Sequence, residues 1–232
     1  MDTLKAFLLS IPAICFLLVL VPPKRANEKT SIYKGQFFEY VVRFLSSAGS
    51  AVAVAITLGH AITILALHQD FALTRPLVPY TCPAPPPSLD VLAAYTPSFV
   101  LGIVLSAAGT LVRLSAMHRL GSLFTYEVVI KPDHALVASG PYAHVRHPGY
   151  TGVALLLLGT HLVFWDPVAG YVPRCGLAGA PLLVVPPLAS AFAVFSLYRR
   201  CAVEDAQLRA RFGEGWERYR DRVPYCMIPH VY

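Results

Sequence analysis

The run of residues from Ser98 to Met117 reads SFVLGIVLSAAGTLVRLSAM. It is long enough to cross the hydrocarbon core of a bilayer, which takes roughly 20 apolar residues in a helix. Four further stretches, of which the third is short, resemble it: Thr3–Val21, about Ala48–Leu67, Tyr150–Trp165 and Leu177–Tyr198. We therefore predict an all-α, polytopic membrane protein with about five transmembrane helices and a C-terminal helical tail.

The composition supports this prediction. Of the 232 residues, 56% are hydrophobic and 14% are charged. Soluble domains are about 45–50% apolar and about 25% charged. So few charged residues argue against a water-soluble globule. The length suits a single domain, residues 1–232, in which residues 1–97 form the N-terminal spans.

The positive charges predict the orientation. With five spans, all of the 19 Lys and Arg residues except Lys5, Arg75 and Arg174 fall on one side of the membrane. Positive residues mark the cytosolic side, so we expect a lumenal N-terminus and a cytosolic C-terminus. The net charge of +6 is thus assigned to a membrane surface, and no nucleic acid partner is expected. Because Lys24-Arg25 follows the first apolar run, that run is expected to be an anchor and not a cleaved signal.

The loops and cysteines add weaker predictions. The proline-rich segment Thr74–Pro87 is expected to be a lumenal loop without helix or inner strand, and Asp166–Gly176 is expected to join two spans in a hairpin.

The cysteines form no C-x-x-C pair, which argues against a zinc ribbon or a thioredoxin-type site. They are Cys15, Cys82, Cys175, Cys201 and Cys226, of which Cys15 and Cys201 are expected to be small apolar fillers.

Two polar segments, His118–Tyr150 and Arg199–Tyr232, are predicted to lie at the same membrane face. Arg146 and His147 precede a helix expected to start at Pro148, whose positive end attracts electron-rich groups. His144 and His147 are three residues apart without a third ligand nearby in sequence, so no metal site is expected.

After the fifth span, Arg200 and Glu204 share one helical face. Snorkelling to lipid headgroups and an ordinary surface ion pair remain alternatives for these charged residues. The apolar stripe Leu208, Phe212, Trp216 and Tyr219 predicts an interfacial amphipathic helix, bent or broken at Gly213 and Gly215.

Residues 120–232 resemble the isoprenylcysteine carboxyl methyltransferase family. The resemblance is carried, in order, by His134-Ala135-Leu136-Val137, Ser139-Gly140-Pro141-Tyr142, Arg146-His147-Pro148-Gly149-Tyr150-Thr151-Gly152, Glu204-Asp205-x-x-Leu208-x-x-x-Phe212-Gly213, Tyr219, Val223-Pro224 and Pro229. It implies an enzyme of the endoplasmic reticulum membrane that methylates the C-terminal carboxylate of a prenylated cysteine in CaaX-processed proteins. Residues 98–232 would form its catalytic core, surrounded by membrane lipids.

The resemblance also implies a site for S-adenosylmethionine, the methyl donor, and a site for the acceptor. The acceptor carboxylate would be held by Arg200, which is the expected catalytic and substrate-binding residue. Glu127 departs from the glutamine expected at its position. The donor site would be formed by Glu127, His134, Ala135, Leu136, Val137, Tyr142, His147, Pro148, Gly149, Tyr150 and Glu204.

Three other functions remain open at this point. A phospholipid N-methyltransferase has a similar helical core, but its amine nucleophile would favour acidic or neutral groups over Arg200. A membrane sterol reductase that uses NADPH would need a larger basic site and more spans. A channel or transporter would place paired ionisable groups near the middle of its spans, whereas here they gather at the predicted cytosolic ends.

Overall fold

A computed structural model describes residues 2–20, 37–66, 69–125 and 135–231. Within these residues the chain is helical and contains no β-strand. Short 3-10 turns cover Gln69–Leu77, Gly121–Leu123 and Gly140–Ala143. The α-helices are α1 Asp2–Leu8, α2 Ser10–Leu20, α3 Phe38–Leu65, α4 Val78–Thr81, α5 Asp90–Ala93, α6 Pro97–Leu120, α7 Pro148–Phe164, α8 Tyr171–Arg174, α9 Pro181–Phe212 and α10 Glu214–Arg222.

Three helical stretches of the described chain are long and apolar enough to cross a membrane: Thr3–Leu20, Phe38–Leu65 and Pro97–Leu123. The fourth predicted span, α7, is apolar but shorter. The fifth lies in α9, a helix of 32 residues. Large apolar side chains such as Leu111 and Leu188 point outward, 68% and 65% exposed, as expected for a surface that faces lipid. The predicted all-helical, polytopic membrane fold is confirmed.

Some predicted boundaries are wrong. Helix α3 begins at Phe38 and not near Ala48, because the helix continues through charged residues that end the apolar run. Helix α9 continues past the apolar run to Phe212, in agreement with the shared helical face predicted for Arg200 and Glu204. The proline-rich segment is partly helical, contrary to expectation, since 69–81 forms a 3-10 turn and α4. Proline near the start of α4 removes no hydrogen bond that the helix needs.

Helices α6 and α7 pack closely against each other, and glycines allow this approach. A Cβ atom added at Gly109 would lie 2.5 Å from the carbonyl oxygen of Gly152, and one added at Gly102 would lie 2.6 Å from that of Gly159. The two contacts are about two helical turns apart on each helix. These close contacts fix the start of α7 relative to the end of α6.

One end of the helical bundle, which we call the disulfide end, holds a bond between Cys82 and Cys175. It joins the chain after α4 to the chain after α8, a pairing that the sequence analysis did not predict. The ammonium group of Lys5 is buried there and donates a hydrogen bond of 2.5 Å to the carbonyl oxygen of Ala94. The helix ends and loops at this end are thus tied together.

The opposite end, which we call the tail end, carries α10 and the C-terminal segment. Helix α9 stops at Gly213, whose φ of +51° ends the helix, as predicted. Gly215 lies inside α10 and does not break it. Trp216 and Tyr219 are only 4% and 2% exposed. They pack with Leu136, Ala138, Leu208, Phe212 and Val223. Trp216 and Tyr219 therefore face protein, whereas Leu208 and Phe212 of the same apolar stripe are only partly buried; that the helix lies at the membrane interface stays a prediction.

Candidate active site

The site lies at the tail end, where the loop before α7 meets the C-terminal segment. The backbone N–H groups of Arg146 and His147 donate to the carbonyl oxygens of Tyr225 and Cys226 at 2.9 and 2.8 Å. The hydroxyl of Thr151 donates to the carbonyl oxygen of Met227 at 2.6 Å. The C-terminal segment therefore fixes the loop whose motif suggested a site.

Six charged side chains form a continuous chain at this end, with acids and bases in alternation. They come from three separate parts of the sequence, namely the first turn of α3, the loop before α7 and the C-terminal half of α9. In order of contact the members are Glu39, Arg200, Glu204, His147, Asp205 and Arg146. With His147 protonated, three positive and three negative charges balance.

Arg200 is the centre of the first half of this charge chain. Its Nη1 lies 3.3 Å from Oε1 of Glu39, and its Nε lies 3.0 Å from Oε1 of Glu204. The hydroxyl of Tyr150 also donates a hydrogen bond to Glu204. Burial alone would raise the pKa of Glu204. The hydrogen bond from His147 and the positive charge of Arg200 outweigh burial and lower that pKa to about 2, so Glu204 is an anion at neutral pH.

His147 links the two halves of the charge chain. Its Nδ1 lies 3.3 Å from Oε2 of Glu204, and its Nε2 lies 3.0 Å from Oδ1 of Asp205. Arg146 closes the chain, with its Nη2 3.1 Å from Oδ2 of Asp205. Burial opposes the charged form of His147, but hydrogen bonds to Asp205 and to its neighbours Cys226 and Glu204 raise its pKa well above 6.5. The raised pKa favours the protonated, cationic form of His147.

A cavity of about 410 Å³ opens beside the charge chain. Its polar wall at the tail end includes Arg146, His147, Arg200 and Glu204. Away from these residues the wall is mainly apolar and is built by α2, α3, α7 and α9. The apolar wall includes Leu20, Phe38, Val42, Val52, Val153, Leu157, Val185, Ala189, Ala193 and Leu197. The arrangement suits an elongated apolar ligand with a charged end.

Most of the predicted site residues that the structure describes line this cavity. They are Ala135, Leu136, Val137, Tyr142, His147, Gly149, Tyr150, Arg200 and Glu204. Pro148 is buried at the start of α7 and is not part of the cavity wall. Glu127 and His134 lie outside the described residues.

Other residues of the site were not predicted as such. Glu39 belongs to α3, and no local pattern around it suggested a role. Arg113 was counted only as a topology marker, yet it is buried in the cavity wall. Its Nη1 donates to the carbonyl oxygen of Gly149 at 3.1 Å, and its guanidinium lies 5.1 Å from the ring centre of Phe124. The sequence feature that could have indicated a role for Arg113 is its position as the single charged residue in the apolar run Ser98–Met117.

A possible metal-ligand group is also present, although the sequence gave no reason to expect one. Ligand atoms of His147, Cys201 and Cys226 lie within 4.8 Å of one another, and these residue types bind zinc. Both ring nitrogens of His147 already face carboxylates, however, and Arg146 brings a positive charge to Asp205. His147 is therefore part of the hydrogen-bonded charge chain, and we assign no metal to these three side chains. Cys15 and Cys201 are buried, as predicted.

Comparison with known proteins gives a consistent result. Residues 100–178 match the model of the isoprenylcysteine carboxyl methyltransferase family. The chain is similar to a protein-S-isoprenylcysteine O-methyltransferase of Schizosaccharomyces pombe, with 32% identity over 140 residues, or 55% of this chain and 52% of that protein. It is 30% identical to the protein of the same name from Homo sapiens over 128 residues, or 54% of this chain and 39% of the relative.

A third relative, the protein-S-isoprenylcysteine O-methyltransferase of Saccharomyces cerevisiae, is 39% identical over 72 residues, which is 30% of each chain. The chain thus spans about half or less of the length of these relatives. The family-model match begins before the stretch from which the resemblance was inferred and ends before Arg200 and Glu204. These matches confirm that the chain resembles the isoprenylcysteine carboxyl methyltransferase family.

Proposed function

We propose that this protein transfers a methyl group from S-adenosylmethionine to the C-terminal carboxylate of a prenylated cysteine and forms a methyl ester. The acceptors would be CaaX-processed proteins. The names of the relatives support the reaction. The observation that carries the proposal is the cavity, which has a charged end at Arg200 and Glu204 and an otherwise mainly apolar wall.

The donor fits the polar end of the cavity. Its volume of about 410 Å³ is within the range of about 300–1,000 Å³ that is usual for small-molecule sites. Glu204 offers an anionic oxygen to a cationic donor, and His147 and Tyr150 hold that carboxylate in place. We assign the donor site to Ala135, Leu136, Val137, Tyr142, His147, Gly149, Tyr150 and Glu204, with Pro148 positioning the first turn of α7 and Glu127 and His134 as further members.

Arg200 is assigned to the acceptor. A carboxylate is ionised at neutral pH, since its ordinary pKa is about 4, so no general base is required. One of its oxygens forms the new bond to the methyl carbon while the sulfonium S–C bond breaks; the bonding pair stays on sulfur, which becomes a neutral thioether. Arg200 orients the carboxylate, and orientation of two reactants can supply about 7–11 kcal/mol of the barrier reduction.

The location follows from the same assignment. The prenyl chain would lie along the apolar wall between α3 and α9, which explains why the enzyme is a membrane protein surrounded by lipids. Disulfides persist in oxidising compartments, so the Cys82–Cys175 bond supports a lumenal disulfide end. The tail end would then face the cytosol, where the processed proteins are found, and the membrane would be that of the endoplasmic reticulum.

The test is methyl transfer by the protein in microsomes, with radiolabelled S-adenosylmethionine as donor. A farnesylcysteine derivative should be labelled, and the label should be released by base as expected of a methyl ester. Phosphatidylethanolamine, the acceptor of a phospholipid N-methyltransferase, should not be labelled. Label in the phospholipid alone would overturn the proposed substrate class, and label in neither acceptor would overturn the proposed reaction.

A further inference from the structure

Glu39 enters the site from a part of the chain that the family match does not include. It lies in the first turn of α3, whereas the match covers residues 100–178. Its side chain is only 3% exposed, and Oε1 lies 3.3 Å from Nη1 of Arg200. The preceding residue, Phe38, and Val42 on the following turn line the cavity. The N-terminal helices therefore contribute a charged side chain to the site as well as part of the apolar wall of the cavity.

This contact changes what Arg200 can do. The side chain of Arg200 is 4% exposed and lies between two carboxylates, those of Glu39 and Glu204. These two contacts, an ion pair with Glu39 and a charge-assisted hydrogen bond to Glu204, favour one orientation of the planar guanidinium. They also reduce the net positive charge that a third carboxylate would meet on approach. An acceptor carboxylate must therefore compete with Glu39 for Arg200.

Building on the proposed function, we propose that Glu39 is a positioning residue of the acceptor site, which orients Arg200 and weakens its hold on the acceptor carboxylate. Glu39 acts through Arg200 and does not itself touch the reacting atoms. Two consequences follow. Arg200 without Glu39 binds a carboxylate more tightly, because a competing charge is gone, and it presents that carboxylate less accurately for methyl transfer.

The variant Glu39→Gln tests this inference, since it keeps the shape of the side chain and removes its charge. We expect the KM for a farnesylcysteine derivative to fall several-fold and kcat to fall by a factor on the order of 10, because small displacements of a reactant are costly. The dissociation constant for S-adenosylmethionine, measured by calorimetry on the purified protein, should stay within about twofold. A purely structural residue would not lower KM and kcat together.

Three further variants make the result decisive. Glu39→Asp keeps the charge and should restore the KM of the wild type. In an Arg200→Gln background, which removes the charge that Glu39 contacts, Glu39→Gln should have little additional effect, because residues that act through one contact are not additive. Glu214→Gln, at a side chain that is 91% exposed, should leave all constants unchanged and controls for loss of a carboxylate at the tail end.

Several outcomes would overturn the role of Glu39. They are an unchanged KM and kcat in Glu39→Gln, a raised acceptor KM, loss of donor binding, or full additivity with Arg200→Gln. Turnover by the wild type is measured first and separates the two proposals. No turnover of the prenylcysteine would remove the proposed function, whereas an active wild type with any of these outcomes would remove the role of Glu39 alone.

Discussion

Gly109 of α6 and Gly152 of α7 are in such close contact that a Cβ atom on either one would lie 2.5 Å from the carbonyl oxygen of the other. One helical turn from each glycine lies a residue of the cavity wall, namely Arg113 after Gly109 and Gly149 before Gly152. Arg113 follows Gly109 on α6, and its guanidinium binds the carbonyl oxygen of Gly149 at the start of α7. The helix contact thus sets the position of the first turn of α7, where His147 and Tyr150 lie.

Gly152→Ala should therefore destabilise the protein. The added methyl group would also lie 2.8 Å from the backbone nitrogen of Arg113, so the two helices must separate. Overpacking of this kind typically costs about 1–3 kcal/mol, and the midpoint of thermal unfolding in detergent should fall. Gly215→Ala is the matched control, because a Cβ atom there meets nothing within 4 Å; an equal fall in both variants would contradict the helix contact.

Arg200→Lys should strongly reduce turnover of the prenylcysteine acceptor. Lysine keeps the charge but loses the planar, two-pronged geometry of the guanidinium. Loss of a hydrogen bond to a charged group costs about 1.5–3 kcal/mol, or roughly 10- to 150-fold. The measurement is kcat/KM for the acceptor alongside the affinity for the donor, which should change little. Arg199→Lys, at an exposed neighbouring position, should be tolerated. The reverse pattern would place the acceptor on the other face of α9.

Glu204→Gln should weaken the binding of S-adenosylmethionine. The carboxylate of Glu204 is held ionised, with its pKa lowered to about 2, and the variant removes its negative charge from the cavity wall. We expect a loss of about 1.5–3 kcal/mol in binding free energy, measured by calorimetry on detergent-purified protein. Glu214→Gln removes an exposed carboxylate and should bind as the wild type does. Wild-type affinity in Glu204→Gln would remove Glu204 from the donor site.

The stability of the protein should depend on pH through His147. Its pKa is raised well above 6.5 in the folded protein. The corresponding stabilisation is therefore present in full below about pH 6.5, the ordinary pKa of histidine, and is lost as the pH rises through the raised value. The wild type should lose thermal stability over this alkaline range, and His147→Gln should lose less. Parallel curves for the two proteins would show that His147 is not the group responsible.

The orientation can be tested with single cysteines at exposed positions of the two ends. In vesicles whose cytosolic face is outward, Glu214→Cys at the tail end should react with an impermeant maleimide. Ser88→Cys at the disulfide end should react only after permeabilisation. The remaining free cysteines are buried, which keeps the background low. The opposite labelling pattern would place the tail end in the lumen.

The residues that could be found from the sequence are those whose signal is local. Tyr142, His147, Gly149 and Tyr150 fall within one short motif, and Arg200 and Glu204 lie one helical turn apart. The resemblance to the family rests on such local patterns, and it was the resemblance that implied a role for each of these residues. The structure places all six at one cavity. The membrane helices were found for the same reason, because each is a continuous apolar run.

The parts that were missed depend on contacts between distant segments. Glu39 is one of several charged residues near the first loop, and only the packing of α3 against α9 shows which of them meets Arg200. The same is true of the Cys82–Cys175 bond, whose partners are 93 residues apart. The start of α3 was misplaced because hydropathy measures solubility in lipid, while a helix continues for as long as its backbone hydrogen bonds are satisfied.

The contact of Glu39 with Arg200 has a consequence for how modules of this kind can be exchanged. A chimera that joins the N-terminal helices of a relative to the C-terminal half of this chain keeps Arg200 but loses Glu39. If the new helices do not place a carboxylate at the same point, the hybrid should insert and bind the donor normally but bind and turn over the acceptor poorly. The N-terminal helices would then determine how well the acceptor is bound and positioned, and would not act as a neutral membrane anchor.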